Sequence, residues 1–250
     1  MPTVVVTGAT GAIGSATVAA LVNRRAQVVS LSRPVLDLSS MASVRSAARE
    51  VNRTVRHIDA LLNIAAVYST TYRKNGDGIE LMLATNHLGP FLLTNLLRDR
   101  LSGGGRVITV TAPSGTHVDI DRLLDRDQFS AYHSFSATKA ANLQFTFELA
   151  RRASRWDVRA NAFHPGLVRS ELMRESSRPL RLALRLISSS PDRAAHDLVD
   201  LALSPAHAGT TGWFFKGTRR SDPPKSTLDV AQQSELWKRS AELVELENGF

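Results

Sequence analysis

The sequence predicts an α/β fold, a doubly wound parallel sheet with helices on both faces, and three observations predict it. Short β-branched runs alternate with longer stretches of helical apolar spacing along the chain. The first such run passes into the first helical stretch through a turn that holds Gly8, Gly11 and Gly14. At 250 residues and 43% hydrophobic, with no Pro/Gly-rich linker, the chain has the apolar content for one sizeable domain over 1–250.

Thr3-Val4-Val5-Val6-Thr7 reads as a buried strand. Ile13 to Arg24 reads as a helix with Ile13, Val18, Leu21 and Val22 at apolar spacing, and 27–31 as a second strand. Only Ser32-Arg33-Pro34 separate that strand from Val35-Leu36-Asp37-Leu38, whereas adjacent parallel strands need a crossover of about a dozen residues. The crossover helix after the second strand is therefore predicted missing, with 35–38 at best a vestigial edge strand. Further strands are expected at 58–63, 106–111, 158–163 and 212–215, separated by helices at 41–52, 79–101, 131–153 and 192–203. That makes a sheet of about six strands.

Bulk composition narrows the partners. The formal charge is +8, but the basic residues are scattered, with acids between them, and aromatics make up only 6%. A nucleic-acid reader needs a concentrated basic stripe with stacking or base-reading residues, so no nucleic-acid partner is expected. An Arg-rich surface that also attracts phosphate-bearing cofactors accounts for the charge. No apolar run has the length to cross a bilayer, so no stable membrane insertion is expected, and the direct start into the first strand without a basic leader points to the cytoplasm. With no cysteine, the chain has no disulfide, thiolate nucleophile or Cys-ligated metal, and no metal site is read.

Thr7-Gly8-Ala9-Thr10-Gly11-Ala12-Ile13-Gly14 lies at a strand-to-helix junction. There glycines allow a tight turn and close backbone approach, and a helix N-terminus offers N–H groups to a pyrophosphate. Gly8, Thr10, Gly11, Ala12, Ile13 and Gly14 are accordingly the expected phosphate cradle of a Rossmann-type dinucleotide site. Arg33, just past the second strand, lies where this fold inspects the adenosine ribose. An acid there accepts from a 2′-hydroxyl, whereas an arginine pairs with a 2′-phosphate, which favours NADP(H) over NAD(H).

Phe135-Ser136-Ala137-Thr138-Lys139 resembles the Tyr-x-x-x-Lys pentad of the short-chain dehydrogenase/reductase family, with the tyrosine replaced. Asp37-Leu38 is similar to that family's adenine-contacting Asp-Leu pair, and Asn63-Ile64-Ala65-Ala66 to its Asn-Asn-Ala-Gly. His164-Pro165-Gly166-Leu167-Val168-Arg169-Ser170 resembles its Pro-Gly-x-Val-x-Thr element. Three further stretches resemble the retinol dehydrogenase-like branch: Asn86 through Leu97, Glu148 through Arg152, and Leu201 through Pro205. The resemblance covers nearly the whole chain. It implies that Asp37, Leu38, Asn63 and Ala65 contact cofactor, that Pro165, Gly166, Val168 and Ser170 hold the nicotinamide carboxamide, and that the substrate is bulky and apolar.

The resemblance further implies an Asn-Ser-Tyr-Lys tetrad. Asn86 and Lys139 match the asparagine, which holds a water in the relay, and the lysine, which grips the nicotinamide ribose. Ala112 stands at the serine and Phe135 at the tyrosine, so two hydroxyls are gone; a benzyl ring has no O–H to donate. Thr111 should face away from Ala112, because successive strand residues point to opposite faces. Ser114 recovers the parity, and Tyr132 lies on the Phe135 helix face about 5 Å along the axis; both are candidate replacements. His117 and His133 read as surface histidines. Three functions stay open: an NADP(H)-dependent reductase of an iminium, conjugated alkene or carbonyl without the usual tyrosine; a non-redox cyclase, isomerase or dehydratase; and a silent NADP(H)-binding regulator. Removal of one acid from such a relay costs a factor of about 100 to 10,000 in rate.

Residues 171–191 alternate apolar side chains with arginines after the Pro-Gly-x-Val element, and are expected to form a substrate lid, with a membrane-surface helix as the rival reading. Leu236, Trp237, Leu243 and Val244 lie at helical spacing in a tail expected to pack on the lid or a neighbouring subunit. The resemblance implies a homodimer through the helices near 79–101 and 131–153.

Overall fold

The structure, a computed structural model, describes residues 1–168 and 190–250. The proposed lid over 171–191 and Ser170 therefore lie almost wholly or wholly outside the described residues. One sheet carries β1 (Thr3–Thr7), β2 (Gln27–Leu31), β3 (Ala60–Asn63), β4 (Arg106–Val110), β5 (Arg159–His164), β6 (Phe214–Lys216) and β7 (Arg219–Ser221) in the order β2-β1-β3-β4-β5-β6-β7. Neighbours pair in parallel except β6 and β7, which are antiparallel.

The six expected strands are all present. The expectation of about six is corrected to seven by β7, which joins β6 through Gly217-Thr218, with Gly217 at a φ of 61° as a two-residue hairpin favours. Its Arg-Arg-Ser sequence sits on the open edge and has no apolar alternation to announce it. The truncated second crossover is as expected. Residues 35–38 form no strand, and β2 ends the sheet. Burial of Leu36 and Leu38 holds this stretch down instead. Gly89 makes room for it, since a Cβ there would lie 2.3 Å from the Leu38 carbonyl oxygen.

Alternation along the strands divides the core into two layers. Val4, Val6, Leu62 and Ile108 face α1 (Ala12–Asn23) and α8 (Pro191–Leu203). Val5, Leu61 and Val107 face the other layer, built from α2 (Met41–Thr54), α4 (Gly89–Leu96), α7 (Ala131–Arg152) and α9 (Val230–Leu243). Among the described residues, the short α5 (Arg98–Leu101) and α6 (Ile120–Leu124) complete the α-helices with α3 (Leu81–Leu83), whose N-cap is Glu80.

The single helix expected over 79–101 is interrupted. Between α3 and α4 the chain makes a π turn at Ala84–Leu88. Pro90 has no N–H for the Asn86 carbonyl four residues earlier, and Asn142 Nδ2 donates to that oxygen at 2.9 Å instead.

The lid on which the tail is expected to pack lies almost wholly outside the described residues. α9 packs within its own chain: Trp237 lies 4.9 Å from Phe91 and 5.8 Å from Phe145 by ring centroids, and the Arg152 guanidinium sits 4.7 Å over its ring. Further on, the Phe250 amide donates to Asn95 Oδ1 at 2.9 Å. On α7, every residue from Ala137 to Ala150 is buried. Among the described residues, no helix is long and apolar enough to cross a membrane.

Candidate active site

The loops leaving the carboxyl ends of β1 to β5 gather at one edge of the parallel sheet. The chain goes from β1 outward to β2 and returns past it to β3, so the edge at β1 and β3 is a topological switch point, where open α/β sheets bind ligands. Gly8 occupies this point at a φ of 68°, and a Cβ on it would lie 2.8 Å from the Ala65 Cα. A Cβ on Gly14 would come within 2.0 Å of the Gly8 carbonyl oxygen, so α1 can begin this close to the turn only with glycine. Gly11 N donates to Gly8 O at 3.0 Å, and the Thr7 hydroxyl accepts from the amides of Ile64 and Ala65 at 3.1 and 3.4 Å. No side chain caps α1 at Gly11, which leaves its first-turn N–H groups for an anion. Thr10 and Gly11 are exposed at the tip, with Ala12 and Ile13 half-buried behind them.

Around this cradle the expected cofactor residues divide. Arg33 is exposed and has no hydrogen bond or ion pair among the described residues. Asp37 Oδ1 is already used by Ser39, accepting from its amide at 2.9 Å and its hydroxyl at 2.7 Å. Leu38 and Asn63 are buried; Asn63 Nδ2 donates to Thr94 Oγ1 at 3.1 Å, while its Oδ1 is enclosed without a partner. Ala65 touches the glycine turn, and Pro165, Gly166 and Val168 follow β5 at the same sheet edge, with Gly166 at a φ of 78°.

The opposite side of the cleft is set by α7. Lys139 is buried, and desolvation lowers its pKa to about 8. Its Nζ has no hydrogen-bond or ion-pair partner among the described residues and lies 5.2 Å from the centroid of the Phe135 ring. Thr111 donates to the Lys139 carbonyl at 2.7 Å, so it faces away from Ala112 as strand parity requires. Asn86 is buried in the π turn with its carboxamide committed: Oδ1 accepts from Val67 N at 2.7 Å, and Nδ2 donates to Val67 O at 2.9 Å and Thr138 Oγ1 at 3.3 Å.

A short chain dehydrogenase family model matches residues 34–180. This chain belongs to the short-chain dehydrogenase family. Human retinol dehydrogenase 13 is 32% identical to it over 98% of this chain and 85% of that protein. The crystal structure of an uncharacterized protein from Mycobacterium paratuberculosis superposes with a TM-score of 0.81 at 28% identity, covering 100% of this chain and 96% of that one. The 3-alpha-hydroxysteroid dehydrogenase of Pseudomonas sp. B-0831, crystallised with NADH, shares the fold at a TM-score of 0.72 and 20% identity, covering 86% of this chain and 95% of that one.

The two replacements suggested for the missing hydroxyls of this short-chain dehydrogenase are not brought to Lys139. Tyr132 is 77% exposed at the start of α7. Ser114 turns into its own loop, donating to Thr116 Oγ1 at 3.1 Å and accepting from the Thr116 amide at 3.3 Å. His117 is exposed as expected, but His133 is half-buried with Nε2 enclosed and unpartnered; desolvation, then Arg122 and His117, lower its pKa. Instead, the ring of Tyr68 meets Phe135 edge to face at 5.5 Å. Nothing local marks Tyr68, because its position depends on a loop packing onto a helix far away in sequence.

Proposed function

We propose that this chain is an NADP(H)-dependent reductase acting on a bulky apolar substrate with a carbonyl or related electrophilic centre, through a site that lacks the usual tyrosine at position 135. The observation that carries the reading is the pairing of an intact glycine cradle with a buried ammonium on Lys139 that has no partner among the described residues. A buried lysine without an anion is costly to keep, and a ligand offering hydroxyl or phosphate oxygens relieves that cost.

A dinucleotide fits the residues present. Gly8 and Gly14 let the turn close against Ala65 and α1 start beside the Gly8 carbonyl, where a Cβ would clash, and the first turn of α1 offers N–H groups to the pyrophosphate. Lys139 would hold the nicotinamide ribose hydroxyls. The unpaired Arg33 would take a 2′-phosphate, which favours NADP(H) over NAD(H). Asp37 would offer its second carboxylate oxygen to adenine, and the segment from Pro165 to Val168 would orient the carboxamide with Ser170. When bound, the cofactor supplies the hydride. Phe135 keeps the helix packing of a tyrosine and adds an apolar wall to the substrate side.

The homodimer implied by the family resemblance is replaced in our reading by a monomer at those faces, because α9 occupies the outer sides of α4 and α7 that a second copy would need. Substrate-dependent loss of NADPH absorbance, screened over aromatic and polycyclic aldehydes and ketones, tests the function. Turnover with NADPH in preference to NADH supports it, and tight NADPH binding without consumption of any electrophile overturns the reductase reading in favour of a silent binder.

A further inference from the structure

We propose that Tyr68 is the acid that protonates the substrate oxygen, a catalytic role moved from the helix to the loop after β3; this rests on the reductase reading above. The chain has three tyrosines. Tyr72 is committed to structure, its hydroxyl donating to the Leu124 carbonyl at 2.5 Å, and Tyr132 is 77% exposed. Of the three, Tyr68 is the one that packs on Phe135. It is half-buried, its ring meets Phe135 at 5.5 Å with an interplanar angle of 80°, and the same Phe135 ring carries the Lys139 ammonium 5.2 Å from its centroid.

Its hydroxyl is free where those of Thr111, Thr138 and Ser114 are committed. Thr111 donates to the Lys139 carbonyl, Thr138 to the Phe135 carbonyl at 2.7 Å, and Ser114 to Thr116, while the Tyr68 hydroxyl has no partner among the described residues. A phenol is moreover a stronger acid than an aliphatic Ser or Thr hydroxyl.

The loop is fixed where a donor requires it. Asn86 grips the amide and the carbonyl of Val67, the residue before Tyr68. Ser69, the residue after it, is buried and donates its hydroxyl to Thr71 O at 2.8 Å. Asn86 thus becomes a positioning residue for Tyr68. The two rings at right angles form an aromatic wall, which suits an aryl or polycyclic carbonyl. In the step, the Tyr68 O–H bond breaks and a new O–H bond forms on the substrate oxygen. The electron pair stays on the phenolate, which water reprotonates, and the carbonyl carbon is reduced by the hydride of NADPH.

Tyr68→Phe keeps the ring and removes the proton. With NADP+ bound and no turnover possible, isotope-labelled acetophenone should show a C=O stretch at lower frequency in the parent protein than in Tyr68→Phe, because only the parent donates a hydrogen bond to it. With NADPH, kcat for the ketone should fall about 100-fold or more, with KM and NADPH affinity unchanged. Equal stretching frequencies, or an unchanged kcat, overturn the assignment while leaving NADPH binding intact. Loss of NADPH binding by the parent protein itself overturns the reductase reading and the assignment with it.

Discussion

Acid should destabilise this chain through His87, whose ring is enclosed by the π turn, α7 and α9. Asn142 Nδ2 donates to the Asn86 carbonyl, so Asn142 Oδ1 faces His87 Nδ1 at 3.2 Å and Nδ1 must carry the proton. Nε2 then accepts from the Ser240 hydroxyl at 2.9 Å. Burial drives the pKa of this ring from 6.5 down to about 4, against a smaller opposing effect of the Asn142 bond. Between those two values the unfolded chain binds a proton that the folded chain refuses, so stability falls as the pH falls. The loss begins near pH 6.5 and is complete near pH 4. At about 1.4 kcal/mol per pH unit, it amounts to about 3 kcal/mol. Urea unfolding at a series of pH values, on the parent and on His87→Gln, isolates this group from the other titrating residues. The parent curve should drop by about 3 kcal/mol more than the variant across the window. Parallel curves would refute the claim that the ring is held neutral by burial.

Gly14→Ala places a Cβ 2.0 Å from the Gly8 oxygen and must force the turn open; calorimetric titration should show NADPH affinity down more than about tenfold, with a stability loss of about 1–3 kcal/mol. Arg33→Ala should weaken NADPH by about 10- to 100-fold and leave NADH nearly unchanged, because only the 2′-phosphate loses its charge-assisted bonds; equal weakening of both would refute the assignment. Trp237→Ala empties the site between Phe91, Phe145 and Arg152 and should cost about 3–5 kcal/mol in denaturant unfolding. The parent protein should elute as a monomer in light-scattering chromatography. Phe135→Tyr combined with Ala112→Ser should raise ketone reduction by restoring both hydroxyls beside Lys139, and an unchanged rate shows that the missing relay is not what limits it.

The sequence spoke most clearly where the signal was local. The β-branched run of β1, the glycine turn and the three-residue gap after Leu31 carried the parallel sheet, the switch-point cleft and the truncated crossover. Lys139 and Asn86 were legible because their motifs are contiguous. What was not legible depends on contacts distant in sequence. β7 is held by its hairpin to β6 rather than by apolar residues of its own. The break in the helix over 79–101 follows from Pro90 combined with Asn142, residues from separate elements. α9 reads as an amphipathic tail, but its seat on Phe91 and Phe145 is decided by three-dimensional packing. Tyr68 likewise meets Phe135 through a loop that Asn86 holds at Val67, a contact distant in sequence.

Calorimetric titration of NADPH into the full chain is the most direct test of the central claim, that the glycine turn and Lys139 together hold a nicotinamide dinucleotide beside Phe135. One NADPH per chain is the expected result, bound more tightly than NADH and lost in Gly14→Ala. The absence of heat and of binding for both cofactors, in protein that unfolds cooperatively, would contradict it.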